Sequence, residues 1–213
     1  EATGIDTQFR PTDAHSLAVD EEDRAGLSRL SPWLNAEGFA ADWIDGAGLR
    51  RIEPRFSDRV IGALRISGAA MLDSYRYCLA LAQAAEAGGA AIRHGEVRRL
   101  RFADGRVAAV ETSTETIPCE KVLLAAGPWT GLAKDWLGAD IPVRPLKGEI
   151  VRVRLKGAAL ALYFSWRGNY ALTKPDGLVW AGTTEEEAGF DERPTALARD
   201  GILTSLSHVF PPF

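Results

Sequence analysis

Glu120-Lys-Val-Leu-Leu-Ala-Ala-Gly-Pro-Trp-Thr-Gly131 is the stretch whose reading decides the fold of this 213-residue chain. Val122 to Ala126 form an unbroken apolar run, the pattern of a strand covered on both faces in a parallel sheet. Gly127 ends the run, Pro128 suits the first position of a helix, and Trp129 to Leu137 continue at helical spacing. Side chains shrink to Ala125, Ala126 and Gly127 where strand becomes helix. A doubly wound sheet receives its ligand at such a point, beside helix N–H groups, and small residues leave room for a nucleotide to reach the backbone. The same residues also suit a tightly packed turn with no ligand.

Working outward from it, the residues before this stretch read as a meander. Val97, Leu100 and Phe102 lead into the turn Ala103-Asp104-Gly105, Val107 to Thr112 return, and Thr114 to Ile117 add a short strand. Arg93, Arg98, Arg99, Arg101 and Arg106 alternate with apolar residues and form an exposed face, without the aromatic platforms of RNA binders. Ala90 to Ile92 read as a further strand, after a helix that starts at Asp73-Ser74 and ends at Gly88-Gly89. Tyr75, Cys78, Leu79, Ala82 and Ala85 line one face of that helix, which makes Cys78 a core residue. Earlier still, Ser16 to Val19 read as an edge strand, Glu21 to Glu37 as a helix bent or split at Pro32, and Asp45 as the cap of a helix over Ala47 to Ile52. Val60 to Ser67 are a strand. The acids Asp20 to Asp23 match a helix dipole better than a metal site. Beyond Gly138 the pattern changes to short strands within Val143–Leu155, Leu160–Trp166, Tyr170–Thr173 and Leu178–Ala181. Thr195 then caps a helix carrying Leu197, Ile202, Leu203 and Leu206.

Hydrophobic residues make up 46% of the chain and charged residues 25%, as in a globular protein, and the net charge of −4 offers no general attraction to nucleic acid. Two cysteines, Cys78 and Cys119, are too few for a disulfide framework and point to a reducing, cytoplasmic setting. No apolar run approaches the length of a membrane span. His15, His94 and His208 have no spacing that predicts a metal.

Five segments, in order, resemble the D-amino-acid-oxidase family of flavoproteins, the group that includes glycine oxidase and sarcosine oxidase. They are Leu49-Arg-Arg-Ile-Glu-Pro54, Asp73-Ser-Tyr-Arg-Tyr-Cys-Leu-Ala-Leu-Ala82, Val122-Leu-Leu-Ala-Ala-Gly-Pro-Trp-Thr130, Ile141-Pro-Val-Arg-Pro-Leu-Lys-Gly-Glu149 and Gly182-Thr-Thr-Glu-Glu-Glu-Ala-Gly-Phe-Asp191. The family's Gly-x-Gly-x-x-Gly, which holds the FAD pyrophosphate, and its closing Trp-x-Gly-x-Arg-Pro pattern do not occur in the chain. The chain therefore resembles the central portion of such an enzyme, a fragment expected to purify without flavin and without activity.

The resemblance implies an α/β fold, α+β in part: an incomplete Rossmann-like FAD domain over residues 71–139 and an antiparallel-sheet substrate domain over 1–70 and 140–213. It implies an FAD-dependent oxidoreductase in which a hydride passes from the carbon bearing the amine to the flavin, with the protein supplying orientation rather than a catalytic side chain. Val97, Ala125, Ala126, Gly127 and Trp129 would bind the cofactor, Val97 through its backbone at the adenine-ribose end. Tyr170 and Lys174 would face an amine or amino-acid substrate. The alternatives are a core position for Val97, a packing anchor for Trp129, a core role for Tyr170 and a surface role for Lys174. At the level of the whole chain, the alternatives are a non-catalytic binding module, a subunit of a heteromeric dehydrogenase, or a hydroxy-acid or glycerol-phosphate dehydrogenase of the same superfamily. The oligomeric state stays open.

Overall fold

The computed structural model describes residues 3–213. In chain order its elements are β1 (Arg10–Ala18), α1 (Glu21–Ala36), β2 (Ala41–Asp45), α2 (Gly46–Ile52), β3 (Gly62–Met71) and α3 (Ser74–Ala87). Next come β4 (Val97–Ala103), β5 (Arg106–Thr112), β6 (Thr116–Pro118), a 3-10 helix (Gly127–Ala133) and α4 (Lys134–Leu137). The chain then forms β7 (Ile150–Val153), β8 (Tyr163–Trp166), β9 (Asn169–Thr173), β10 (Val179–Gly182) and α5 (Ala196–Ser207). It divides into a larger unit, comprising residues up to Leu81, Gly148–Glu185 and Arg193–Phe213, and a smaller one, Ala82–Lys147 with Glu186–Glu192.

The larger unit is built on a seven-stranded sheet in the order β2-β3-β1-β8-β9-β10-β7. The sheet is mixed rather than antiparallel throughout, because β1 runs parallel to β8, with Ala14 opposite Tyr163 and Ser16 opposite Ser165. A parallel pair cannot be closed by a hairpin, and these two strands are far enough apart in sequence not to need one. β1 is therefore an interior strand, not the edge strand expected for Ser16 to Val19.

One face of this sheet is sealed. Leu17, Phe164, Ala171, Val179 and Ala181 point to it and pack with Leu49 of α2, Ile202 and Leu206 of α5, and Phe56, Val60, Val209 and Phe210. The rings of Phe56 and Phe164 meet edge to face at 5.1 Å, a geometry favoured by the ring quadrupoles. The α5 stripe is Ala198, Ile202 and Leu206, while Leu197 points out. On the other face α1 covers only the β2-β3-β1 end, through Leu27, Leu34, Ala41, Leu64 and Ile66. Its start is fixed as the acids implied: Asp20 Oδ1 accepts from Asp23 N at 2.9 Å, and Asp23 Oδ2 accepts from Val19 N at 3.1 Å. Pro32 lies inside α1 without ending it.

The Glu-Pro segment after α2 has a structural task. Glu53 is only 2% exposed. Its carboxylate takes Arg55 Nε at 2.7 Å and Nη2 at 2.6 Å, with Ala161 N at 3.2 Å. Arg55 in turn donates to the carbonyls of Ala158 and Ala159 and lies over the Phe210 ring. Burial pushes the Glu53 carboxyl up, but the hydrogen bonds from Arg55 and the Ala161 and Arg55 backbone outweigh it and hold the pKa below the ordinary glutamate value.

In the smaller unit β4, β5 and β6 form an antiparallel sheet. Asp104 and Gly105 make the turn with φ of 49° and 74°, as a two-residue primed turn requires. The meander arginines are exposed, with Arg93 bonded to Glu115 and Arg99 and Arg101 both to Glu111. Three expectations are corrected. Residues 90–92 and 121–126 form no strand, and Leu123 is 91% exposed rather than covered on both faces. A strand exists only where a neighbouring strand takes its N–H and C=O groups, and among the described residues none does so here. Likewise α3 buries none of its residues, so Cys78 is exposed and not core.

Replacing Glu53 by Gln should lower unfolding stability at neutral pH by about 2 kcal/mol, since the Arg55 guanidinium then loses its counter-charge. The lowered carboxyl pKa means that this contribution is present at neutral pH and disappears as pH falls below the ordinary glutamate range. Urea midpoints measured against pH should therefore converge for wild type and Glu53→Gln in acid, and parallel curves would contradict the assignment.

Candidate functional site

Register gathers polar and aromatic side chains on the sheet's uncovered end. Ser16, Ser165 and Tyr170 stand in one row across β1, β8 and β9. In the next row Trp180 of β10 lies opposite Leu172 on one side and Arg152 of β7 on the other. Side chains alternate along a strand, so Tyr170, Leu172 and Lys174 share this face while Ala171 turns to the sealed core.

Two clefts open on the face. The first, about 790 Å³, is lined by Ser16, Tyr163, Ser165 and Tyr170 together with Arg29 and Glu22 of α1. The Ser16 and Ser165 hydroxyls are 3.3 Å apart, and the rings of Tyr163 and Tyr170 meet edge to face at 6.5 Å. Burial raises the pKa of both phenols, and for Tyr170 the neighbouring Tyr163 adds to it. Phenols are neutral near pH 7 in any case, so each hydroxyl has a proton to donate. The second cleft, about 480 Å³, is lined by Lys174, Trp180, Arg152, Arg76, Asp73 and Gln8 among others. Here Lys174 Nζ donates to the Leu72 carbonyl at 3.2 Å and sits 5.1 Å from the centre of the Trp180 ring. Tyr170 and Lys174, four residues apart and thus about 13 Å along the strand, share a face but line different clefts.

Ala125, Ala126 and Gly127 are exposed, and Gly127 adopts φ +51° with open space where a Cβ would stand. This backbone is free for a flat or extended group to lie against, so the residues present fit one flank of a dinucleotide site. Gly131, one turn on, is needed for another reason: a Cβ there would collide with the Val143 carbonyl. Trp129 is 52% exposed and stacks on Phe190, with ring planes 20° apart and centres at 5.6 Å. Val97 opens β4, opposite Thr112, with its side chain partly in solvent. Among the described residues no group of three or more His, Cys, Asp or Glu side chains is placed to hold a metal, and no helix is long and apolar enough to cross a membrane.

The model of the DAO family, FAD dependent oxidoreductase, matches residues 1–213. The chain belongs to this family. A glycine oxidase of Pseudomonas aeruginosa is 36% identical over 116 residues, covering 54% of this chain and 32% of that protein. A D-amino acid dehydrogenase of Cereibacter sphaeroides is 31% identical over 157 residues, 72% of this chain and 36% of that one. Among solved structures, glycine oxidase from Bacillus cereus superposes with a TM-score of 0.91 at 25% identity, covering 98% of this chain and 58% of that one. The chain thus spans between about a third and somewhat over half of the length of the relatives it matches.

Sequence reasoning named Tyr170 and Lys174 and did not name Tyr163, Trp180 or the two serines that share their face. Tyr163, Ser165 and Trp180 belong to consecutive antiparallel strands whose register is local, whereas Ser16 joins them only through the parallel pairing of β1 with β8, far apart in sequence. A spectrophotometric alkaline titration should reveal tyrosines that ionise above the ordinary value of about 10. Tyr163→Phe and Tyr170→Phe should each remove one of them, and an unchanged late phase in both variants would contradict the placement of these phenols.

Proposed function

We propose that the protein carrying this chain is an FAD-dependent oxidoreductase acting on an amino acid or secondary amine, of the glycine, sarcosine or D-amino-acid type. The observation that carries the reading is the match of the whole chain to a family of FAD-dependent oxidoreductases, joined to a sheet face left open beside two half-buried phenols. Glycine oxidases and a D-amino acid dehydrogenase among the relatives support an amine-bearing substrate.

FAD, when bound, supplies the acceptor for a hydride from the carbon that carries the amine. The share of the smaller unit is to lay the open backbone of Ala125, Ala126 and Gly127 beside the dinucleotide, with Val97 at the adenine-ribose end and Trp129 just beyond. The share of the larger unit is to hold substrate. Tyr170, a neutral phenol, donates to a substrate carboxylate, and Tyr163 adds a second donor in the same cleft. Lys174 keeps a positive charge on that face, fixed by the Leu72 carbonyl and the Trp180 ring. No side chain is assigned a proton-transfer role, since orientation and charge suffice for this chemistry.

The 213-residue chain has no Gly-x-Gly-x-x-Gly turn of its own. It should therefore purify colourless, and a stoichiometric flavin spectrum would contradict that. Expressed from its natural open reading frame, the protein should carry flavin absorbance that bleaches anaerobically on adding glycine, sarcosine, proline or a D-amino acid. Bleaching by hydroxy acids or glycerol phosphate alone would overturn the amine assignment.

A further inference from the structure

The cleft around Lys174 holds more positive charge and more free hydrogen-bond donors than its own acids satisfy. Arg76 from α3, Arg152 from β7 and Lys174 just beyond β9 line it, against two carboxylates, Asp73 and Asp176. Both carboxylates are turned to their own backbone: Asp73 Oδ1 accepts from Arg76 N at 2.9 Å, and Asp176 Oδ1 accepts from Leu178 N at 2.9 Å. The Arg152 guanidinium lies 5.7 Å from the centre of the Trp180 ring and makes no hydrogen bond or ion pair with another described residue. Lys174 approaches the same indole from the other neighbouring strand. Two cations thus flank one aromatic ring, and the planar fork of Arg152 remains free for a two-oxygen partner.

A fourth donor is held in place by backbone geometry. Gln8 adopts φ 56°, in the left-handed region that non-glycine residues rarely enter. It is kept there by its N–H bond to Asp6 Oδ1 at 2.8 Å, while Asp73 N donates to the Thr7 carbonyl and Arg76 Nη1 to the Asp6 carbonyl. The strained turn is over-determined by its surroundings, and its product is a carboxamide at the wall of the cleft.

We infer that this cleft is an oxyanion subsite, in which Arg152, Lys174 and Gln8 bind a carboxylate or phosphate group of a ligand whose apolar part lies against Trp180. Guanidinium and ammonium donors to a carboxylate or phosphate make the strong, charge-assisted class of hydrogen bond, and an indole wall tolerates any apolar body. The subsite is separate from the Tyr163–Tyr170 cleft, so it recognises a group other than the one those phenols hold. The inference goes beyond the flavin chemistry above and holds whether or not the substrate is an amine.

The test uses the 213-residue chain without flavin, so that its failure is distinct from failure of the oxidoreductase reading. The indole N–H resonance of Trp180, assigned through Trp180→Phe, is followed while sodium acetate or sodium phosphate replaces sodium chloride at constant ionic strength. A saturable shift with either anion is expected; a tighter response to acetate assigns a carboxylate ligand, and a tighter response to phosphate a phosphorylated one. Arg152→Gln and Lys174→Gln should each weaken binding at least about tenfold, as loss of a charge-assisted bond predicts, whereas Arg59→Gln, a charge change at an exposed site outside the cleft, should leave it within about twofold. Circular dichroism of each variant separates lost binding from lost fold. A non-saturable response, one that chloride reproduces, or wild-type affinity in both Arg152→Gln and Lys174→Gln would overturn the proposal.

Discussion

Unequal burial of the two faces of one sheet governs the larger unit. Phe56, Phe164 and Phe210, with α2 and α5, close one face to water, and that burial fixes the register because a one-residue slip would turn Phe164 and Ala171 outward. Given that register, Tyr163, Ser165, Tyr170 and Trp180 have no choice but the opposite face. α1 covers only the β2-β3-β1 end of it, and the residues left over are those with hydroxyl, ammonium and guanidinium groups. The clefts on this face are thus a consequence of where the core lies.

Several segments that carry the family resemblance serve this arrangement through contacts within the chain. Glu53 ties the end of α2 to the strand-entry segment at 158–161 through Arg55. Glu149 accepts from Thr195 N at 2.8 Å and so joins the entry of β7 to the start of α5. Thr183, after β10, returns a hydroxyl to the Glu149 carbonyl at 3.1 Å. These contacts hold the sealed face together, which makes them as necessary to the open one as any residue on it.

How much of this was legible depended on whether the cause was local. Helix caps at Asp45 and Thr195, the acidic start of α1 and the Asp104-Gly105 turn are decided within a few residues, and each stands where the sequence placed it. Expectations that needed a partner elsewhere fared differently. Val122 to Ala126 have the composition of a buried strand, but the hydrogen bonds that would make them one must come from outside the segment. The parallel pairing of β1 with β8 joins residues about 150 positions apart, which no short pattern encodes. Tyr170 was proposed from resemblance alone; Tyr163 faces it across the local β8–β9 hairpin, a pairing that depends on the register of that turn and not on distant sequence. Cys78 erred in the opposite sense: its helical spacing was right, and its burial was not.

The central claim is that the open face of β8, β9 and β10 is where a small anionic ligand is held. A crystal structure of the protein expressed from its natural reading frame, soaked with a carboxylate inhibitor of amine oxidation, tests it directly. The account predicts ligand density over Tyr163 and Tyr170, with a carboxylate oxygen in hydrogen-bond reach of the Tyr170 hydroxyl. Ligand bound elsewhere, with that face packed by protein side chains, would contradict it.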